Sequence, residues 1–340
     1  MRKLLNTLYV TTPEAYLSKD GQNIVVSVRQ EEVFRIPAIN IEAIVTFGYM
    51  GASPGLMKLC GENGIALTFL SPNGRFISRV QGAVRGNVLL RKAQYSLSDD
   101  EEWSLHVAGL MIAAKIQNYR SILRRYCRDY GGCQEVESAV SMLELNKNRA
   151  LAASDKNELI GFEGMASNIY FNVLPHLILN QKESFPFSGR NRRPPGDAVN
   201  AMLSLAYTLI ANDVSAALET VGLDPYVGFL HTLRPGRTSL ALDMMEEFRA
   251  YLGDRFVLSL INRRQISPKD FLNQGDHGVV LTDNGRKTFI TAWQNRKRET
   301  ITHSYLNEKI EIGLLPHVQA QMLARYIRQD IDDYPVFIIK

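Results

Sequence analysis

The stretch GLDPYVGFLHTLRPGRTSLALDMMEEFRAYLG, Gly222–Gly253, carries His231 and then Asp243, Glu246 and Glu247. One imidazole with two carboxylates is an N,O donor set for Mn²⁺ or Mg²⁺ that leaves positions open for water and phosphate oxygens. On a helical wheel that starts at Leu240, Ala241, Met244, Met245, Phe248 and Leu252 form an apolar stripe. Asp243, Glu246 and Glu247 share a separate arc. No lysine stands at the matching i+3 or i+4 positions, and Arg237 and Arg249 lie off the arc. Like charges at this spacing repel. Two readings stay open, a solvated helix face beside a structural histidine and a divalent-metal site. The TLRPGR segment folds the chain back and brings His231, at the end of a short helix opened by Asp224-Pro225, toward the arc.

A further acid is expected from elsewhere in the chain. In LIGFEGMASNIYFNVL, Glu163 stands among Gly161, Gly164, Ala166 and Ser167. Small neighbours let another helix approach, and an inward glutamate is costly unless something pairs with it. The alternative is a surface glutamate near a helix start. Other chemistries lack their motifs: there is no P-loop, no H-E-x-x-H and no nucleophile elbow, and GYMGASPG does not have dinucleotide-binding spacing.

The elements that must position these residues divide into two kinds. Residues 1–82 read as β, with NIVVSV, AIVTF and IALTFL as strands and FISRV following an Asn73-Gly74 turn. One short helix interrupts them, with Ser53 as N-cap, Pro54 in its first turn and Gly61 past its end. Residues 83–98 form a linker with a short helix. From Asp99 or Asp100 a long helix runs to Tyr130, where Gly131-Gly132 stops it; Leu105, Ile112, Ile116, Tyr119, Leu123 and Tyr126 recur at helical spacing. Further helices are predicted at about 155–180, 197–221, 224–231, 239–252 and 314–330. The fold class is α+β, a small N-terminal β-strand domain followed by a larger all-helical C-terminal domain, residues 99–340, that carries the metal site.

The 340 residues are 45% hydrophobic and 22% charged, ordinary for a globular protein. No apolar run approaches the roughly 20 residues that span a bilayer, so no membrane partner is expected. The start MRKLLNTLYVTTPEAYL does not read as a secretory signal. Cys60, Cys127 and Cys133 fit neither a disulfide framework nor a zinc pair, and a cytoplasmic location follows. A net charge of +4 permits a nucleic-acid partner without demanding one. The loop QKESFPFSGRNRRPPG and the loop TLRPGRTS have the Arg, Pro and Gly content of phosphate-binding loops and equally of solvent loops.

Four segments, RGNVLLRKAQY, FEGMASNIYF, NRRPPGDAVNAMLSLAY and GLDPYVGFLHTLRPGRTSLALDMMEEFR, together resemble the CRISPR-associated adaptation integrase family, the first of the Cas proteins. The wording of the last two is similar to members of type I-C systems. The resemblance implies a metal site of Glu163, His231 and Glu246, with Asp243 as a nearby acid that could share or replace the role of Glu246; many members have Asp where this chain has Glu246. It implies a metal-dependent DNA endonuclease and integrase that inserts new spacers into a repeat array by strand transfer. It also implies double-stranded DNA as substrate, a homodimer, and a small second Cas protein bridging two dimers. Arg120, Arg124, Arg192, Arg193, Arg234 and Arg237 are the candidate phosphate contacts. A general metal-dependent repair nuclease and a catalytically silent DNA-binding scaffold remain as other readings of the same residues.

Overall fold

The computed structural model describes residues 7–339 except 13, 42, 73–75, 81, 83–87, 192 and 193. Strands β1 (Thr7–Val10), β2 (Ala15–Asp20), β3 (Asn23–Val28), β4 (Glu31–Pro37), β5 (Ala43–Phe47), β6 (Ala66–Leu70) and β7 (Phe76–Val80) open the chain, with helix α1 (Pro54–Asn63) between β5 and β6. β2, β3 and β4 form an antiparallel meander, and a second sheet has the order β1-β5-β6-β7 with only β7 antiparallel to its neighbour. β5 and β6 are apolar on both faces for a reason. Ile44, Leu67 and Phe69 face a core shared with the meander, whereas Val45, Phe47 and Leu70 join the helical core. A strand buried on both sides reads as a continuous apolar run. Helix α1 starts at Ser53 as expected, its hydroxyl accepting from the Leu56 N–H, but it ends at Gly64 (φ 68°), not Gly61. The Asn73-Gly74 turn lies outside the described residues.

The rest of the chain is mostly helical: α2 (Val88–Asp99), α3 (Glu101–Tyr130), α4 (Gln134–Leu151), α5 (Lys156–Val173), α6 (Ala198–Val221), α7 (Ser239–Phe248), a π-helical segment Arg249–Asp254, α8 (Arg255–Asn262), α9 (Asp283–Arg298) and α10 (Leu315–Ile327). It is not all-helical, because two short hairpins join it, β8 (Phe271–Asn273) with β9 (Val279–Leu281) and β10 (Thr300–Thr302) with β11 (Lys309–Glu311). α3 is capped by the Asp100 carboxylate and stopped by Gly131 and Gly132, both at positive φ. α6 corrects the expectation that no apolar run is long enough to span a bilayer; it passes that test by length and composition, yet two-thirds of its apolar window is buried against the other helices.

Two departures shape the site. Residues 224–231 are not helical. The Asp224 carboxylate accepts from the Tyr226 N–H at 2.8 Å, and the Gln94 side chain binds the backbone of Asp224 and Val227. The Pro225 carbonyl accepts from the N–H groups of Leu240 and Ala241, so this segment caps α7, whose own N-cap Thr238 makes no side-chain bond. An unsatisfied helix N-terminus needs such partners. The helix expected to end at 252 instead runs on through the π-segment into α8, continuous from Ser239 to Asn262. Such single-turn π-segments recur at functional sites.

Candidate metal centre

Every residue of α7 except Leu242 is buried, all three carboxylates included, so the solvated-face reading does not hold. The three acids leave the helix toward three different partners.

Asp243 points into the loop before it. Its Oδ2 accepts from the N–H groups of Phe229 (2.6 Å) and Leu230 (2.9 Å), and its Oδ1 accepts from the N–H (3.0 Å) and Nδ1 (2.5 Å) of His231. A carboxylate offers about four lone-pair sites, and here four donors fill them. Because Asp243 is an acceptor to every partner, His231 Nδ1 donates to it, and in the neutral imidazole Nε2 is the nitrogen that carries the lone pair. Gly228 permits the wrap: a Cβ there would sit 2.5 Å from Asp243 Oδ2 and 2.7 Å from the Ser239 carbonyl carbon.

Glu246 meets Glu163 across a lysine. The Lys115 ammonium, on α3 and fully buried, bonds Glu163 Oε1 and lies 2.8 Å from Glu246 Oε2, while Arg249 Nη2 is 3.0 Å from Glu246 Oε1. The expectation that the acidic arc lacks a basic partner therefore fails, since Arg249 pairs with Glu246 at i+3 and Lys115 arrives from another helix. Burial pushes the Glu163 carboxyl up, but the Lys115 charge and the hydrogen bonds from Lys115 and Ser167 outweigh it and hold it at about 2. Glu163 is half-buried and ionised at neutral pH. Behind it Tyr119 and Tyr170 stack at 3.9 Å, and Arg249 lies over the Tyr207 ring, whose hydroxyl donates to Asp254.

Glu247 is elsewhere. It accepts from Tyr334 (2.6 Å), Gln319 (2.9 Å) and the Phe337 N–H (2.7 Å), which fastens the C-terminal tail to α7. Burial raises its carboxyl to about 7 against those three donors. It has no place in the donor set.

Gly161 and Gly164 do not admit a neighbouring helix, because a Cβ at either would meet nothing within 4 Å. Gly164 instead borders an open cleft of about 1070 Å³ that starts at Glu163 and is lined by Ser167, Asn168, Asn172, Phe187 and Asn191. The donors along that cleft suit a polar, extended ligand.

The basic candidates are less uniform. Arg120 is ion-paired with Glu144 on α4, Nε to Oε2 3.0 Å, and is mostly covered. Arg124 and Arg234 are exposed, and Arg237 is half-buried in a turn whose N–H bonds the Arg234 carbonyl, with Gly236 at φ 75°. Arg192 and Arg193 lie outside the described residues. Arg190, absent from the sequence expectations, anchors their loop through Asn200 and Ser204 and packs over Tyr207.

Lys115 and Gly228 also escaped the reading of the sequence, and Arg249 was placed off the arc although it pairs with Glu246. Lys115 had a usable signal, a charge set inside the apolar stripe of Met111, Ile112 and Tyr119.

Comparison with known proteins places the chain in a family. The profile of the family described as CRISPR associated protein Cas1 matches residues 8–295. The chain is 48% identical over 341 residues to the CRISPR-associated endonuclease Cas1 1 of Chlorobaculum tepidum, covering 99% of each. Its fold resembles a casposase bound to an integration product (TM-score 0.83, 23% identity, 96% of this chain and 92% of that one). It also resembles a chain of a Cas6-RT-Cas1–Cas2 complex (TM-score 0.82, 23% identity, 97% of this chain and 36% of that one). This chain belongs to the Cas1 family.

Proposed function

We propose that the chain is a divalent-metal-dependent DNA endonuclease and integrase that joins new spacers to a repeat array by phosphodiester strand transfer. The observation that carries this reading is the Lys115 ammonium held between Glu163 and Glu246. A cation between two carboxylates supports a site that favours positive charge, and the oxygen and imidazole donors suit Mg²⁺ or Mn²⁺. Glu163, Glu246 and His231 Nε2 would hold the ion, which supplies Lewis acidity at the scissile phosphate when bound. With Lys115 between the two carboxylates, the three do not gather within 4.8 Å of one another here, and the ion would draw them together. Asp243 is not a ligand in this reading, since its lone pairs are taken; it fixes the tautomer and direction of His231, as carboxylates behind metal-bound imidazoles do. Arg249 orients Glu246. The cleft beside Glu163 receives the DNA strand, with Asn168, Asn172 and Asn191 as donors to its backbone.

The curated relative's name says endonuclease and the similar casposase carries an integration product, which supports both cleavage and joining. The homodimer and the small second Cas protein as bridging partner belong to the same reading.

Incubation with Mn²⁺ or Mg²⁺, a labelled duplex ending in 3′-hydroxyls and a plasmid carrying the repeat tests it. Covalent transfer of label to the plasmid is expected. Nicked or shortened DNA without joined label would favour the repair-nuclease reading, and no product at all would favour a silent scaffold.

DNA affinity is expected to come from dispersed arginines. Binding should weaken with salt, and replacing Arg192 and Arg193 with alanine should flatten the log–log slope by up to about two units, near 0.9 per lost phosphate contact. A fluorescence titration at several salt concentrations measures this; an unchanged slope assigns both arginines to solvent.

A further inference from the structure

We propose that Cys133, Glu135 and His176 form a second metal site, for a zinc-class cation, separate from the Glu163–Glu246 centre. The Gly131-Gly132 reversal between α3 and α4 places Cys133 at the N-cap of α4 and Glu135 in its first turn. His176 reaches them from the short 3₁₀ turn Leu174–Leu177 that follows α5. One ligand atom from each lies within 4.8 Å of the other two, and Cys133 Sγ is 3.7 Å from His176 Nδ1. Sulfur and nitrogen bound to one tetrahedral zinc at about 2.3 Å and 2.1 Å stand roughly 3.6 Å apart. The pair is thus already at the spacing of one edge of such a site.

Three features separate this cluster from a chance encounter. Cys133 makes no side-chain cap bond at a position where serine or aspartate would, so its sulfur is directed to other use. Cys133 and His176 are half-buried while Glu135 is exposed, which leaves an entry path from solvent. The N-terminal dipole of α4 favours the anionic donors Glu135 and metal-bound thiolate. A water can complete four-coordination.

A thiolate ligand selects zinc-class ions over the Mg²⁺ or Mn²⁺ of the first centre. The two sites are also apart, since His176 follows Glu163 by thirteen residues, roughly 20 Å of helix. The ion would tie the α3–α4 turn to the end of α5, the helix that carries Glu163, and act as a structural clip. Without it, Cys133 and His176 share only a weak S–H···N contact.

Co²⁺ added to the full-length protein tests the assignment. One equivalent should produce a thiolate-to-cobalt charge-transfer band in the near ultraviolet that Zn²⁺ bleaches. Zn²⁺ should also raise the melting temperature. Cys133→Ser and His176→Gln should each lose the band and the zinc-induced shift, and Glu246→Gln should keep both. Serine is a favoured N-cap, so the first variant should fold, and its metal-free melt beside wild type establishes that. No band in wild type, or an undiminished band in Cys133→Ser, overturns the proposal.

Discussion

Lys115→Met is expected to lower stability by about 3–5 kcal/mol in metal-free buffer, the cost of removing one partner from a buried ion pair and leaving the other charge uncompensated. Glu163 would lose its ion-pair partner, and Glu246, left with Arg249 alone, would face it without the ammonium that now lies 2.8 Å away. Methionine keeps the side chain as far as Cε and removes only the ammonium, which lies 5.7 Å from the centre of the Tyr119 ring, so the loss reports charge more than volume. Mn²⁺ should restore much of the loss. A ligand that binds only the folded state at about 100 times its Kd adds roughly 2.7 kcal/mol, and the variant has no ammonium to displace. Wild type should gain less from the same Mn²⁺. Urea unfolding with and without Mn²⁺ measures all four states. Equal metal stabilisation in both proteins would mean that Lys115 and the ion do not share the two carboxylates.

Gly228→Ala should impair fold and chemistry together. The added Cβ would meet Asp243 Oδ2 at 2.5 Å and the backbone of Ser239 and Leu240 at 2.7 and 2.8 Å, and helix backbone cannot yield as a flexible side chain does. Overpacking of this kind costs about 1–3 kcal/mol, and more where nothing can shift. The loop would lift from α7, and the three N–H groups that wrap Asp243 would move with His231. A displacement of about 1 Å at a reacting centre can cost on the order of 100-fold in rate. Strand transfer should fall by about that factor in protein that still melts cooperatively. Wild-type activity in this variant would show that the position of His231 does not depend on the Gly228 approach.

The sequence was most legible where a residue type has one use. Asp100, Gly131 and Ser53 mark helix ends because a cap or a positive φ admits few residues, and the structure uses all three that way. The β-then-α order was legible from the change of period. α4 was not foreseen: its buried Val136, Ala139 and Leu143 do recur at helical spacing, but charged and polar residues surround them. The acidic arc of α7 was legible as an anomaly but not as an arrangement. A wheel gives direction from one helix axis, whereas α7 is buried except at Leu242, and what each carboxylate meets depends on α3, the 224–231 loop and the tail. Lys115 stands 131 residues before Glu246 in the chain (246 − 115), so no local spacing connects them. The expected short helix at 224–231 failed because its Asp-Pro opening also begins an Asx turn, and the backbone groups it frees are those that cap α7 and hold Asp243.

The central claim is that Glu163, Glu246 and His231 serve chemistry while DNA affinity comes from elsewhere. Strand transfer by Glu246→Gln, assayed in Mn²⁺ and Mg²⁺ beside a DNA-binding titration and a thermal melt, tests it most directly. Glutamine keeps the volume and can still accept from Arg249, but it removes the negative charge that a divalent ion needs. The account predicts a folded protein with near wild-type DNA affinity and no joined product in either metal, and His231→Ala should match it. Joining at wild-type rate by folded Glu246→Gln would contradict the account and return these residues to a structural role.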